Sequence, residues 1–195
     1  MNGYKKVFLG MIFTTFHFNL GPIEILPAFI AILIICSGIN EILVNYNNVS
    51  IKISLKLFEI KVLMSFITFA LPFIGIENGF NNIIVNIIWF NVGSILEILS
   101  IVKLLEGTSE ILSENYNTYL GNKYKSKAIV YIYFYSVVLI VSNINYIFMS
   151  ESVGLVIAIY ALIIKCMVIF SFRKLYNGDL KINNDFASGN DLDNI

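Results

Sequence analysis

Two ionisable side chains stand inside long apolar runs: Glu97 in "NVGSILEILSIV" and Lys165 in "AIYALIIKCMVIF". Charged groups in such surroundings are costly, and they ordinarily face a protein interior and pair with one another. Glu97 follows the start of its apolar run at residue 83 by about 14 residues, and Lys165 follows residue 153 by about 12. In two helices of the same direction, a rise of ~1.5 Å per residue puts both groups within roughly 3 Å of one depth. The spacing therefore predicts an ion pair or a shared polar cavity. Asn86 and Ser100 lie on the Glu97 stripe. The competing reading has Lys165 stretch its long stem to the nearer surface.

A second constellation, His17, Asn19 and Glu24, surrounds "NLGPIEILP" at 19–27. Gly21-Pro22 is a stop signal, and Pro27 suits a helix start. These favour a tight surface turn joining two antiparallel helices. The sharper reading is a break at membrane depth, where half-helix ends and freed backbone groups bind a substrate or ion and His17 senses protons together with Glu24. Catalysis has less support. His17 is the single histidine, and Cys36 and Cys166 are far apart, so neither a metal ligand set nor a redox pair emerges. No Walker A, GxGxxG, HExxH or GxSxG pattern occurs. The expectation is a non-enzyme with no catalytic, cofactor-binding or metal-binding residues and no cofactor.

These residues must be positioned by elements suited to lipid. The chain is 57% apolar and only 13% charged, with a mean hydropathy of +0.79, whereas soluble domains carry about 25% charge. Six apolar segments can be marked, at about 4–20, 27–44, 59–76, 83–105, 128–148 and 153–172. Inside lipid each must satisfy its own backbone, so each is predicted as a helix. The fold class is an all-α, polytopic membrane bundle with a single domain over 1–176. A polar, disordered tail is expected at 177–195. The first segment covers about 25 Å, short of a ~30 Å hydrocarbon core, which leaves a re-entrant hairpin with 27–44 open as an alternative. Residues 43–56 and 106–127 read as the larger connecting loops.

Lysine and arginine orient the bundle. Of thirteen such residues, all but Lys165 fall in 1–6, 45–61, 103–127 and 173–195, while the alternate connections hold Glu24, Glu77 and Glu151. Basic residues concentrate on the cytoplasmic side, so both termini are expected in the cytoplasm of a cell bearing this protein in its plasma membrane. This assignment also accounts for the basic loops without nucleic acid. Tyr131, Tyr133, Phe134 and Tyr135 at one end of the fifth segment, with Tyr146 and Phe148 at the other, read as interfacial anchors. Small and polar residues recur at helical spacing: Gly10, Thr14, His17 and Gly21; Lys61, Ser65, Thr68 and Pro72; Gly154, Ala158, Ala161 and Lys165. They are either packing seams or the lining of a solute pathway. Pro72 is expected to kink its helix.

The stretch "FHFNLGPIEILPAFIAILIICSGINEI" (16–42) resembles the N-terminal signature of a group of small multi-spanning membrane proteins from Gram-positive bacteria. The likeness lies in an aromatic run, Asn-x-Gly, and Ile-Leu-Pro leading into a second helix. It departs where that group carries an acidic residue and a Gly-Tyr, since Ala28 and Ala31-Ile32 stand here. The resemblance implies a defining hairpin and no particular activity. Two functions follow as expectations: a small-solute or ion transport or binding component, or a non-transporting scaffold, immunity or regulatory partner of another membrane protein. In either case the lipid bilayer is the first partner.

Overall fold

The computed structural model describes residues 2–16, 19–20, 23–24, 27–74, 83–148 and 151–179. Six helices account for nearly all of them: α1 (Asn2–Thr15), α2 (Ala28–Asn45), α3 (Val49–Ala70), α4 (Ile83–Asn115), α5 (Thr118–Phe148) and α6 (Glu151–Lys174). A 3₁₀ turn, Leu71–Ile74, follows α3, and a π-helical turn, Leu175–Asp179, follows α6. Among the described residues, four stretches are long and apolar enough to cross a membrane: Ala28–Asn45, Ile83–Asn115, Thr118–Tyr146 and Glu151–Asn177. Of the six segments marked in the sequence, two do not meet that standard. Helix α1 has only 14 residues. Helix α3 carries Lys52, Lys56, Glu59 and Lys61.

Local chemistry sets the helix ends. The Asn48 side chain accepts from the Ile51 amide at 3.0 Å and caps α3, satisfying a donor that the helix leaves unpaired. Asn117 accepts from the Tyr119 amide at 2.7 Å at the start of α5. Pro27, which has no amide hydrogen to lose, stands immediately before α2. Between α1 and α2 the backbone forms a two-residue antiparallel ladder, β1 (Asn19–Leu20) with β2 (Ile23–Glu24), pairing Asn19 with Glu24 and Leu20 with Ile23. The residues on either side of Gly21-Pro22 are therefore paired strands set between the two helices.

Several sequence boundaries require correction. The predicted loop 106–127 is helical apart from its centre, because α4 runs on to Asn115 and α5 begins at Thr118. The reason is packing: Gly107, Thr108, Ser109, Ile111 and Leu112 are buried, so this polar-looking stretch carries an apolar face. Similarly, the predicted loop 43–56 shrinks to 46–48, since α2 runs to Asn45 and α3 starts at Val49 and buries Ile51, Ser54 and Phe58. Pro72 lies beyond the end of α3, in the 3₁₀ turn, and so stops the helix where a mid-helix kink was expected. From residue 180 onward the predicted tail lies outside the described residues, and its first residues, 177–179, belong to the π-helical turn.

The six helices form a closed ring. Each packs on its sequence neighbours, and α6 closes on α1. Among the described residues, no pair of helices across the ring brings its backbones into contact. Only side chains cross the middle. With short connections and an even number of helices, both ends of the ring chain meet: Tyr4 stacks on Phe172 at 6.3 Å, and Lys5 lies over the Tyr176 ring at 5.6 Å. Tyr4 also donates across the ring to Thr108 Oγ1 at 3.3 Å. This basic end holds the tightest core, including Val7, Ile39, Ile51, Leu104, Leu105, Tyr124 and Phe172. At the far end, apolar residues such as Ile84, Ile88, Ile144, Leu155 and Val156 are exposed. Exposed apolar surface on that scale needs an apolar surrounding.

Backbones approach closely in the α1–α2 seam. A Cβ on Gly3 would come within 2.6 Å of the Gly38 carbonyl oxygen, and one on Gly38 within 2.8 Å of the Val7 nitrogen. Helices approach this closely only where side chains are absent. Lys6 bonds Glu41 across the same seam.

Candidate functional site

At the level of Glu97 and Lys165 the ring is held by charge. Glu97 extends from α4, where Ile98 and Ile101 anchor that helix in the core, and each carboxylate oxygen takes one ammonium. Lys165 of α6 lies 2.7 Å from Oε1, and Lys61 of α3 lies 2.5 Å from Oε2. The side chains are 18% (Glu97), 19% (Lys61) and 23% (Lys165) exposed. Three helices are thereby tied through one carboxylate. The pairing of Glu97 with Lys165 matches their equal depth along parallel helices: each stands 14 residues after its helix start at Ile83 or Glu151. Lys165 does not stretch to the surface.

Lys61 is the member that charge counting missed, because it was assigned to a basic connection. Its stripe with Ser65, Thr68 and Pro72 was the available signal. Thr68 on the same face accepts from Trp89 Nε1 of α4 at 3.0 Å.

Two tyrosines complete the group. Tyr131 and Tyr135 are buried, so half of the expected interfacial aromatic cluster turns inward, while Tyr133 remains exposed. The cause is the extension of α5, which moves its start from residue 128 to Thr118 and carries 131–135 into the ring. Lys165 Nζ lies 5.8 Å from the Tyr135 ring centre. The Tyr131 hydroxyl is buried without a hydrogen-bond partner.

Above the ions, toward the far end, α4, α5 and α6 line an open cavity of about 650 Å³, within the ~300–1,000 Å³ range of small-molecule sites. Its floor is Glu97, Lys165 and Tyr135, and its upper part includes Asn86, Asn145 and Gly154. Between them the wall is mostly apolar, with Phe90, Val138, Leu139 and Ile157. From Gly154 to Lys165 the cavity follows 11 residues of α6, about 16 Å. Asn145 Oδ1 is buried and unpartnered. A reciprocal amide pair, Asn91 with Asn143 at 2.8 and 2.7 Å, fastens α4 to α5 beside it.

The sequence candidates thus separate. Glu97, Lys165 and Asn86 share the cavity. Ser100 does not line it: its hydroxyl bonds the Leu96 carbonyl at 2.5 Å, and its own carbonyl accepts from Ser54 at 2.8 Å in the α3–α4 seam. Gly154, Ala158 and Ala161 line the cavity with Lys165, while Gly10 packs tightly on Ala31 and Ile35 in the α1–α2 seam. Small residues therefore occur both in a packing seam and along the cavity. His17 lies outside the described residues, as do the side chains of Asn19 and Glu24, whose backbones pair in the hairpin. Cys36 and Cys166 are free thiols, and no His/Cys/Asp/Glu group suited to a metal occurs among the described residues. Comparison with protein-family models, curated proteins and solved structures finds no match.

Proposed function

We propose that the chain is a multi-pass plasma-membrane protein, non-catalytic, with both termini in the cytoplasm, and that it binds or transports a small solute or ion. All six helices cross the bilayer in this reading. Helices α1 and α3, short or charged by themselves, are carried by their packing in the closed ring. The basic end faces the cytoplasm, in keeping with the retention of lysine and arginine on that side. Kinship with the Gram-positive membrane group is part of the proposal and draws its support from the α1–α2 hairpin.

One observation carries the solute reading: the cavity of about 650 Å³ whose floor is the Glu97–Lys165 pair. Ionisable groups at such depth mark solute and ion pathways, and a cavity of this size with a few polar groups at its floor has the form of a small-molecule site. A second reading, a docking partner of another membrane protein, is favoured by the helical α4–α5 projection at the basic end, with Glu110 and Glu114 beside Asn47 and Asn48 in an open polar hollow.

Native mass spectrometry of protein purified in mild detergent separates the two. The solute reading expects a small adduct that disappears in Ala158→Phe, a variant that fills the cavity. A stoichiometric protein partner that persists in that variant supports docking instead.

A further inference from the structure

We infer that the cavity takes a monoanion, an organic carboxylate on an apolar body, whose oxyanion is received by Lys165 and Tyr135. The inference rests on reading the cavity as a solute site and names the class of solute. It starts from a count of charge. Lys61, Glu97 and Lys165 meet within ion-pair distance, and two ammoniums with one carboxylate sum to 2 − 1 = +1. The charges acting on Glu97 are those of Lys165 and Lys61. An uncompensated charge in an apolar interior is strongly unfavourable, and a bound monoanion brings the set to neutrality.

Geometry then selects which cation meets the ligand. Glu97 uses both oxygens, one on each lysine. Lys165 lines the cavity and Lys61 does not. An ammonium has three donors; Lys165 turns toward Glu97 at 2.7 Å, which leaves donors for the cavity. Tyr135 lines the same cavity, its ring centre 5.8 Å from Lys165 Nζ, and its O–H can donate. Two donors thus converge at the cavity floor, which suits an oxyanion and offers little to a cation. Phe90, Val138, Leu139 and Ile157 above them require that the rest of the ligand be apolar.

The test uses full-length protein in detergent, with thermal unfolding measured against hexanoate, hexylammonium and hexan-1-ol. Hexanoate alone is expected to raise the melting temperature. Lys165→Met leaves Glu97 paired with Lys61 at formal neutrality, so the variant should fold, and its apparent Kd for hexanoate should rise about tenfold or more. Lys165→Arg should keep most of the affinity. Ala158→Phe, with all three charges intact, should abolish the response. Stabilisation by hexylammonium in place of hexanoate overturns the anion assignment and leaves a solute site standing. Equal responses to all three probes that survive Lys165→Met and Ala158→Phe, or no response to any, overturn both the ligand class and the solute reading.

Discussion

Glu97 is the residue on which three helices depend, and its removal tests how charge is balanced inside the ring. Glu97→Gln keeps the shape but leaves Lys61 and Lys165 with no counter-charge. Breaking a buried pair in this way costs about 3–5 kcal/mol, so a large fall in melting temperature is expected. The double variant Glu97→Gln/Lys61→Met removes one of the two stranded ammoniums and should recover part of that loss. If thermal unfolding shows the two changes to be simply additive, Lys61 does not share the carboxylate. Lys61→Met alone leaves the neutral Glu97–Lys165 pair and should be milder than Glu97→Gln. Sequence made Glu97 and Lys165 recognisable because a charge in an apolar run stands out. It hid Lys61 because three other ionisable residues, Lys52, Lys56 and Glu59, precede it on the same helix.

At the scale of elements, the α1–α2 seam and the α4–α5 projection make separate predictions. In the seam, Gly38→Ala would set a methyl group against the Gly3 oxygen and the Val7 nitrogen at 2.6 and 2.8 Å. Backbone must move, since neither neighbour is a flexible side chain. Overpacking of this kind costs about 1–3 kcal/mol, and the melting temperature in detergent should fall accordingly. Gly93→Ala, where a methyl group meets nothing within 4 Å, is the matched control and should be near neutral. In the projection, Ser109 donates to the Gly121 carbonyl at 2.7 Å, and Gly107 packs on Ile51. Hydrogen–deuterium exchange should therefore find the amides of 106–114 and 121–127 protected. Rapid exchange throughout 106–127 would restore the loop that composition alone suggested.

For the whole molecule, closure of six helices with short connections brings the start of α1 and the end of α6 to one end of the ring. A reporter of cellular location fused before Met1 and one fused after Ile195 should therefore give the same answer, and under the proposed orientation of the basic end that answer should be cytoplasmic. Opposite answers from the two fusions would mean that the chain crosses the bilayer an odd number of times. Single cysteines introduced at Asn47 and Asn117, in the turns at the basic end, should resist an impermeant thiol reagent in intact cells.

By itself the sequence determined the helical class, the apolar segments, the clustering of basic residues and the equal depth of Glu97 and Lys165. Each follows from one-dimensional quantities: composition, run length, charge position and a constant rise per residue. Only tertiary structure decided that 106–127 is helical, that Tyr131 and Tyr135 turn inward, that Lys61 joins the pair, and that Ser100 belongs to a seam while Ala158 faces a cavity. In helices apolar on every side, the pattern of residues carries little information about which face meets a neighbour. That choice is made when six such helices close on one another, and the closing fixes which side chains reach the middle.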